Sequence, residues 1–94
     1  MSFERTVLIV DDSPEDRETY RRFLLTDDRY HYIFLETDYG ENGLEVCKLV
    51  QPDAILLDFH LPDIDGIEFL CELKTQFGKM QLPVIMLTGR GNED

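Results

Sequence analysis

Residues 53–66 read DAILLDFHLPDIDG. Ala54–Leu57 is apolar at every position, the pattern of a strand covered on both faces, and so of a parallel sheet flanked by helices. The strand runs directly into Asp58, then into a loop carrying Pro62, Asp63 and Asp65 and closing on Gly66. A carboxylate at the end of a buried strand is costly to desolvate without a specific partner. Asp58 therefore marks a site as well as a strand end.

The rest of the chain repeats the strand-then-helix theme. Thr6–Val10 is a β-branched and aliphatic strand that stops at Asp11-Asp12. Ser13-Pro14-Glu15-Asp16 then places a hydroxyl N-cap, a proline at the first helical position and acids in the first turn. The helix is predicted from Pro14 to about Leu25, with Tyr20, Phe23 and Leu24 on its buried stripe. His31–Glu36 is a second strand. Gly40 and Asn42-Gly43 read as a turn, after which Leu44, Cys47 and Val50 form one face of a second helix that ends before Pro52. Asp65 and Glu68 make an acidic capping box for a third helix, with Ile67, Leu70, Leu73 and Phe77 as its buried side and Gly78 as its end. Val84–Leu87 is a fourth, wholly apolar strand, followed by a Thr88-Gly89-Arg90-Gly91 loop. The order β-α-β-α-β-α-β defines an α/β fold with right-handed crossovers.

Composition narrows the partners. The chain has 94 residues, 43% hydrophobic and 31% charged, as expected of one globular domain with a modest core. A net charge of −11 repels phosphate backbones and anionic lipid, so neither nucleic acid nor membrane is an expected partner. Cys47 and Cys71 lack metal-ligand spacing and read as small core residues of a reduced, cytoplasmic protein.

In an open parallel sheet the strand ends share one edge, where such folds place their sites. Asp11 and Asp12 follow the first strand, Asp58 closes the third, and Thr88 follows the fourth. Three carboxylates in one small region repel one another. A hard divalent cation relieves that repulsion, and Mg²⁺ is suited to a few carboxylates plus waters and a phosphoryl oxygen. The pattern thus predicts a carboxylate cup for Mg²⁺, with Asp58 as nucleophile toward phosphorus and Thr88 as hydrogen-bond donor to the transferred group. Singly, the same residues have plainer explanations. Asp11-Asp12 suits a helix N-terminus, Asp58 a solvated loop and Thr88 a turn; it is their coincidence at strand ends that favours a site. Asp65 reads as a helix cap, Asp63 as solvated, His31 as structural, and the His60 side chain as solvent-facing.

VLIVDDSPEDR, PDAILLDFHLPDIDG and LPVIMLTG together resemble the receiver domain of two-component response regulators, from about Thr6 to Gly89. The resemblance implies a flavodoxin-like (CheY-like) doubly wound parallel sheet of strand order 2-1-3-4. It implies that Asp58 accepts a phosphoryl group from a histidine kinase or a histidine phosphotransfer protein. Asp12 and Asp11 would hold Mg²⁺, the backbone carbonyl of His60 would complete the protein's share of the metal shell, and Thr88 would be the switch hydroxyl. Such a chain is a signalling module and not an enzyme. A haloacid-dehalogenase-like phosphatase would need a second acid two residues after the nucleophile, where His60 stands.

The family's fold has five β-α units. By that resemblance residues 1–94 form a single receiver-like domain lacking the fourth helix, fifth strand, fifth helix and the lysine that follows that strand. Two expectations follow. One is an alternative function, a phosphate-independent receiver-shaped interaction module. The other is homo-oligomerisation through the uncovered sheet face or the open edge of the fourth strand.

Overall fold

The computed structural model describes residues 3–78 and 82–87. Seven elements follow one another: β1 (Phe3–Val10), α1 (Pro14–Leu24), β2 (Tyr30–Thr37), α2 (Gly40–Val50), β3 (Ala54–Asp58), α3 (Gly66–Phe77) and β4 (Val84–Leu87). All three ladders are parallel and the strand order is β2-β1-β3-β4, the doubly wound arrangement expected from the alternating pattern. Leu8 lies beside Leu35 and Ile55, and Ile55 beside Val84, so one row of side chains crosses the whole sheet.

The main core lies between one sheet face and helices α2 and α3. Leu8, Val10, Ile55 and Leu57 are buried there with Leu44, Cys47, Phe69 and Leu73. The other face presents Val7, Ile9, Leu56 and Ile85, with α1 laid across its β1–β2 side. Arg17 and Arg21 of α1 both reach Glu36 of β2, at 2.9 and 2.6 Å.

Several local expectations change once tertiary contacts are present. Gly40 and Asn42-Gly43 are not a turn but the first turn of α2. Gly43 is helical and buried because α2 runs close to the sheet: a Cβ there would stand 2.9 Å from Val10 and 3.2 Å from Phe69. On α3 the buried positions are Phe69 and Leu73, whereas Ile67 is 53% exposed, so the inward stripe is turned from the one expected. Val50 on α2 and Phe23 on α1 are likewise exposed, each lying where no element among the described residues covers it. Cys47 is in the core as expected, but Cys71 is exposed on the outer side of α3.

The helix ends behave as their chemistry dictates. The Ser13 hydroxyl accepts a hydrogen bond from Asp16 N at 3.2 Å, and Pro14 fills the first helical turn. Asp65 and Glu68 form a reciprocal capping box, at 2.8 and 3.1 Å. Gly78 ends α3 at φ 64°, a backbone conformation that other residues rarely adopt.

Candidate functional site

Parallel pairing builds the site. Val10 lies beside Leu57 in the β1–β3 ladder, so the next residue of each strand, Asp11 and Asp58, emerges at the same sheet edge. Carboxylate oxygens of Asp11, Asp12 and Asp58 all lie within 4.8 Å of one another. Asp11 and Asp58 are 2% and 3% exposed, while Asp12 faces solvent. Alternation along β3 puts Asp58 on the same face as Leu56, which is the face of α1.

Asp11 is fixed from every side. Its backbone N–H donates to the Thr37 carbonyl at 3.0 Å. Its carbonyl accepts from the Arg17 guanidinium at 2.6 Å. One carboxylate oxygen accepts from Ser13 N at 2.9 Å and the other from the Tyr20 hydroxyl at 3.4 Å. Burial, then the negative charges of Asp11 and Asp16, push the Tyr20 phenol up to about 12, so Tyr20 remains a donor throughout the neutral range.

The loop after Asp58 is equally tied. His60 N donates to Asp58 Oδ1 at 3.2 Å. Phe59 N donates to the Leu87 carbonyl at 2.9 Å, and the Phe59 carbonyl accepts from Gly66 N at 3.0 Å. The His60 side chain is exposed and meets the Phe59 ring edge-on at 4.9 Å. Asp63 is the correction here. It is not merely solvated, because its carboxylate accepts from Gly40 N at 2.8 Å and Glu41 N at 2.9 Å, capping α2 from the loop that follows Asp58. Partial desolvation raises the Asp63 carboxyl, but the N–H groups of Glu41, Gly40 and Ile64 outweigh it and hold it below the usual carboxylate value.

The structure thus brings together three of the residues singled out in the sequence and lays the His60 backbone in the adjoining loop. Thr88 lies outside the described residues. Tyr20 and Asp63 are the two side chains that sequence reasoning did not connect with the site. Tyr20 was legible only as a core-facing aromatic. The partner of Asp63 is 23 residues away in the chain, beyond the reach of local capping patterns.

The three clustered side chains offer only oxygen, which matches the preference of hard divalent cations such as Mg²⁺. Fold and site together define an α/β module with an acidic pocket at the carboxyl edge of a parallel sheet. The family model of the response regulator receiver domain matches residues 7–94, and the chain belongs to that family. It is 38% identical over 90 residues to the phosphate regulon transcriptional regulatory protein PhoB of Pseudomonas aeruginosa, covering 96% of this chain and 38% of that one. It is 35% identical over 89 residues to the alkaline phosphatase synthesis transcriptional regulatory protein PhoP of Bacillus subtilis, covering 95% of this chain and 35% of that one. The chain therefore spans little more than a third of the length of these relatives. Among solved structures it is similar to the N-terminal domain of a response regulator receiver protein from Methanoculleus marisnigri. There the TM-score is 0.75 and the identity 36%, over 89% of this chain and 66% of that one. Among the described residues no helix is long and apolar enough to cross a membrane.

Proposed function

We propose that this chain is a phospho-accepting receiver in which Asp58 takes a phosphoryl group from the phosphohistidine of a histidine kinase or histidine phosphotransfer protein, with Mg²⁺ as cofactor. The observation that carries this reading is the convergence of the Asp11, Asp12 and Asp58 carboxylates within 4.8 Å at the ends of β1 and β3. Asp11, Asp12, Asp58 and the backbone carbonyl of His60 are the groups that would hold the ion. When bound, Mg²⁺ supplies positive charge against the carboxylates and the phosphoryl oxygens.

The chain's own contribution is orientation. His60 N holds Asp58 Oδ1 and so orients the carboxylate, one oxygen of which attacks phosphorus. A bond forms between that oxygen and phosphorus as the phosphorus–nitrogen bond of the donor breaks. The imidazole leaves with that bond's electron pair and takes up a proton, and the product is an acyl phosphate on Asp58. Because a phosphoimidazole is itself a high-energy donor, alignment and charge neutralisation are the main demands on the receiver. Thr88, the first residue beyond β4, is the hydroxyl proposed to contact the transferred group.

The test is intact-mass measurement after incubation with Mg²⁺ and acetyl phosphate. The expected result is one phosphoryl adduct, stable in acid and labile in base, and absent from Asp58→Asn. Mg²⁺ binding without any adduct would instead favour the phosphate-independent interaction module. The same reading includes pairing with a second copy through the outer edge of β4 and the exposed side of Ile85, which is 54% accessible. Light scattering at increasing concentration is expected to show a rising mass, and a constant monomer mass would end that part of the proposal.

A further inference from the structure

The connection between β2 and α2 touches both acid-bearing segments. At its start, the Thr37 carbonyl accepts from Asp11 N at 3.0 Å, next to the first two carboxylates. At its end, Gly40 N and Glu41 N donate to the two oxygens of Asp63, at 2.8 and 2.9 Å, in the loop that follows Asp58. Apolar packing reinforces the second joint. Gly40 is buried so closely against the loop that a Cβ there would stand 2.5 Å from Ile64 and 3.2 Å from Leu61. Residues 37–41 thus form a strap from the end of β1 to the β3–α3 loop.

We infer that Asp63 is a positioning residue for the metal pocket, clamping the acceptor loop to the N-terminus of α2 so that Asp58 and the His60 carbonyl face Asp11 and Asp12 in one fixed arrangement. The inference rests on the reading of that pocket as a Mg²⁺ site. The mechanism is geometric. Asp63 lies five residues beyond Asp58, and the intervening chain is pinned to β4 through Phe59 N and to α3 through the Phe59 carbonyl. Without the Asp63 bonds the middle of the loop keeps only the apolar contact of Leu61 and Ile64 with Gly40, which sets no direction, and two helix N–H groups lose their acceptors. Asn at this position retains one carbonyl oxygen able to accept, so it preserves part of the clamp.

Coupling between two sites is reciprocal. If the clamp orders the pocket for Mg²⁺, Mg²⁺ must in turn protect the clamp. The experiment therefore reads single-amide hydrogen exchange by NMR, with Mg²⁺ affinity measured by calorimetry, on the wild-type chain, Asp63→Ala and Asp63→Asn. Exchange at Gly40 and Glu41 is expected to slow on adding Mg²⁺ to the wild type. The Asp63→Ala variant is expected to bind Mg²⁺ about fivefold more weakly or worse, the lower end of ordinary coupling between sites, with Asp63→Asn between the two. A residue that only stabilised the fold would lower the urea midpoint and leave Mg²⁺ affinity unchanged, and that result overturns the inference. If Asp63→Ala does not fold, wild-type exchange decides, and protection of Gly40 and Glu41 that ignores Mg²⁺ overturns it equally. A wild-type chain that binds no Mg²⁺ removes the clamp's role together with the metal reading. Mg²⁺ binding with the expected clamp response but no phosphoryl adduct removes the phospho-acceptor reading and leaves the clamp standing.

Discussion

The two faces of the sheet are covered by different physics. On the α2–α3 face, Leu8, Val10, Ile55 and Leu57 meet Leu44, Cys47, Phe69 and Leu73, an apolar contact closed to water. On the α1 face the helix contributes no fully buried residue of its own. It is held by Arg17 and Arg21 on Glu36 and by Arg17 on the Asp11 carbonyl. Cover thins across that face, from Ile9 at 0% through half-buried Leu56 to Ile85 at 54% exposure. Asp58 belongs to this second face, and the Tyr20 hydroxyl reaches Asp11 from its helix. The apolar face therefore supplies most of the stability, while the more polar face carries Asp58.

A graded substitution series sharpens that contrast, read as unfolding free energies in urea. Phe69→Ala empties the centre of the apolar face and is expected to cost about 3–5 kcal/mol, as large aromatic deletions in cores do. Glu36→Gln breaks both arginine pairs on the α1 face, and because these side chains are 19–31% exposed the loss is expected near ~1 kcal/mol, shrinking with added salt. Phe23→Ala, at 77% exposure on the outer side of α1, is expected to stay within about 0.5 kcal/mol of wild type. Equal losses at Phe69 and Phe23 would break the comparison.

A further test is a pH dependence confined to the apolar face. Burial pushes the Cys47 thiol up to about 11 from its ordinary value of 9.0. The folded chain then keeps its proton where the unfolded chain releases it. The stability this contributes is complete below pH 9.0 and is lost as pH rises toward about 11. Urea midpoints measured across that window are expected to fall for the wild type and to fall less for Cys47→Ala. Identical slopes would show that the thiol is not sealed from water.

The comparison also explains what the sequence made legible. The identities of β1, β3 and β4 and the burial of Leu8, Ile55 and Leu57 follow from uninterrupted apolar runs, which only a doubly covered sheet tolerates. The Ser13 and Asp65 caps follow from contacts three residues apart. The coincidence of Asp11, Asp12 and Asp58 follows from parallel topology alone. What stayed hidden depends on distant partners. Asn42-Gly43 has turn chemistry, yet it lies inside α2, where the close approach to Val10 and Phe69 leaves no room for a side chain at Gly43. Periodicity on α3 admits stripes through either Ile67 or Phe69, and the choice is made by where α2 and the sheet lie. Phe23 falls on a plausible inward stripe, yet α1 is too narrow a cover for that stripe to be enclosed.

Strand β1 sits in the middle of the sheet, paired on one side with β2 and on the other with β3, and every pairing is parallel. No hairpin can therefore start this domain, since each ladder closes only over an intervening crossover. Val7, near the front of the chain, finds its neighbour Ala54 only after α1, β2 and α2 have been made. Strand β3, which ends on Asp58, is docked by the same event, so during synthesis the carboxylate cluster assembles late. Folding is correspondingly slower than in a helical bundle of the same size, where contacts are local.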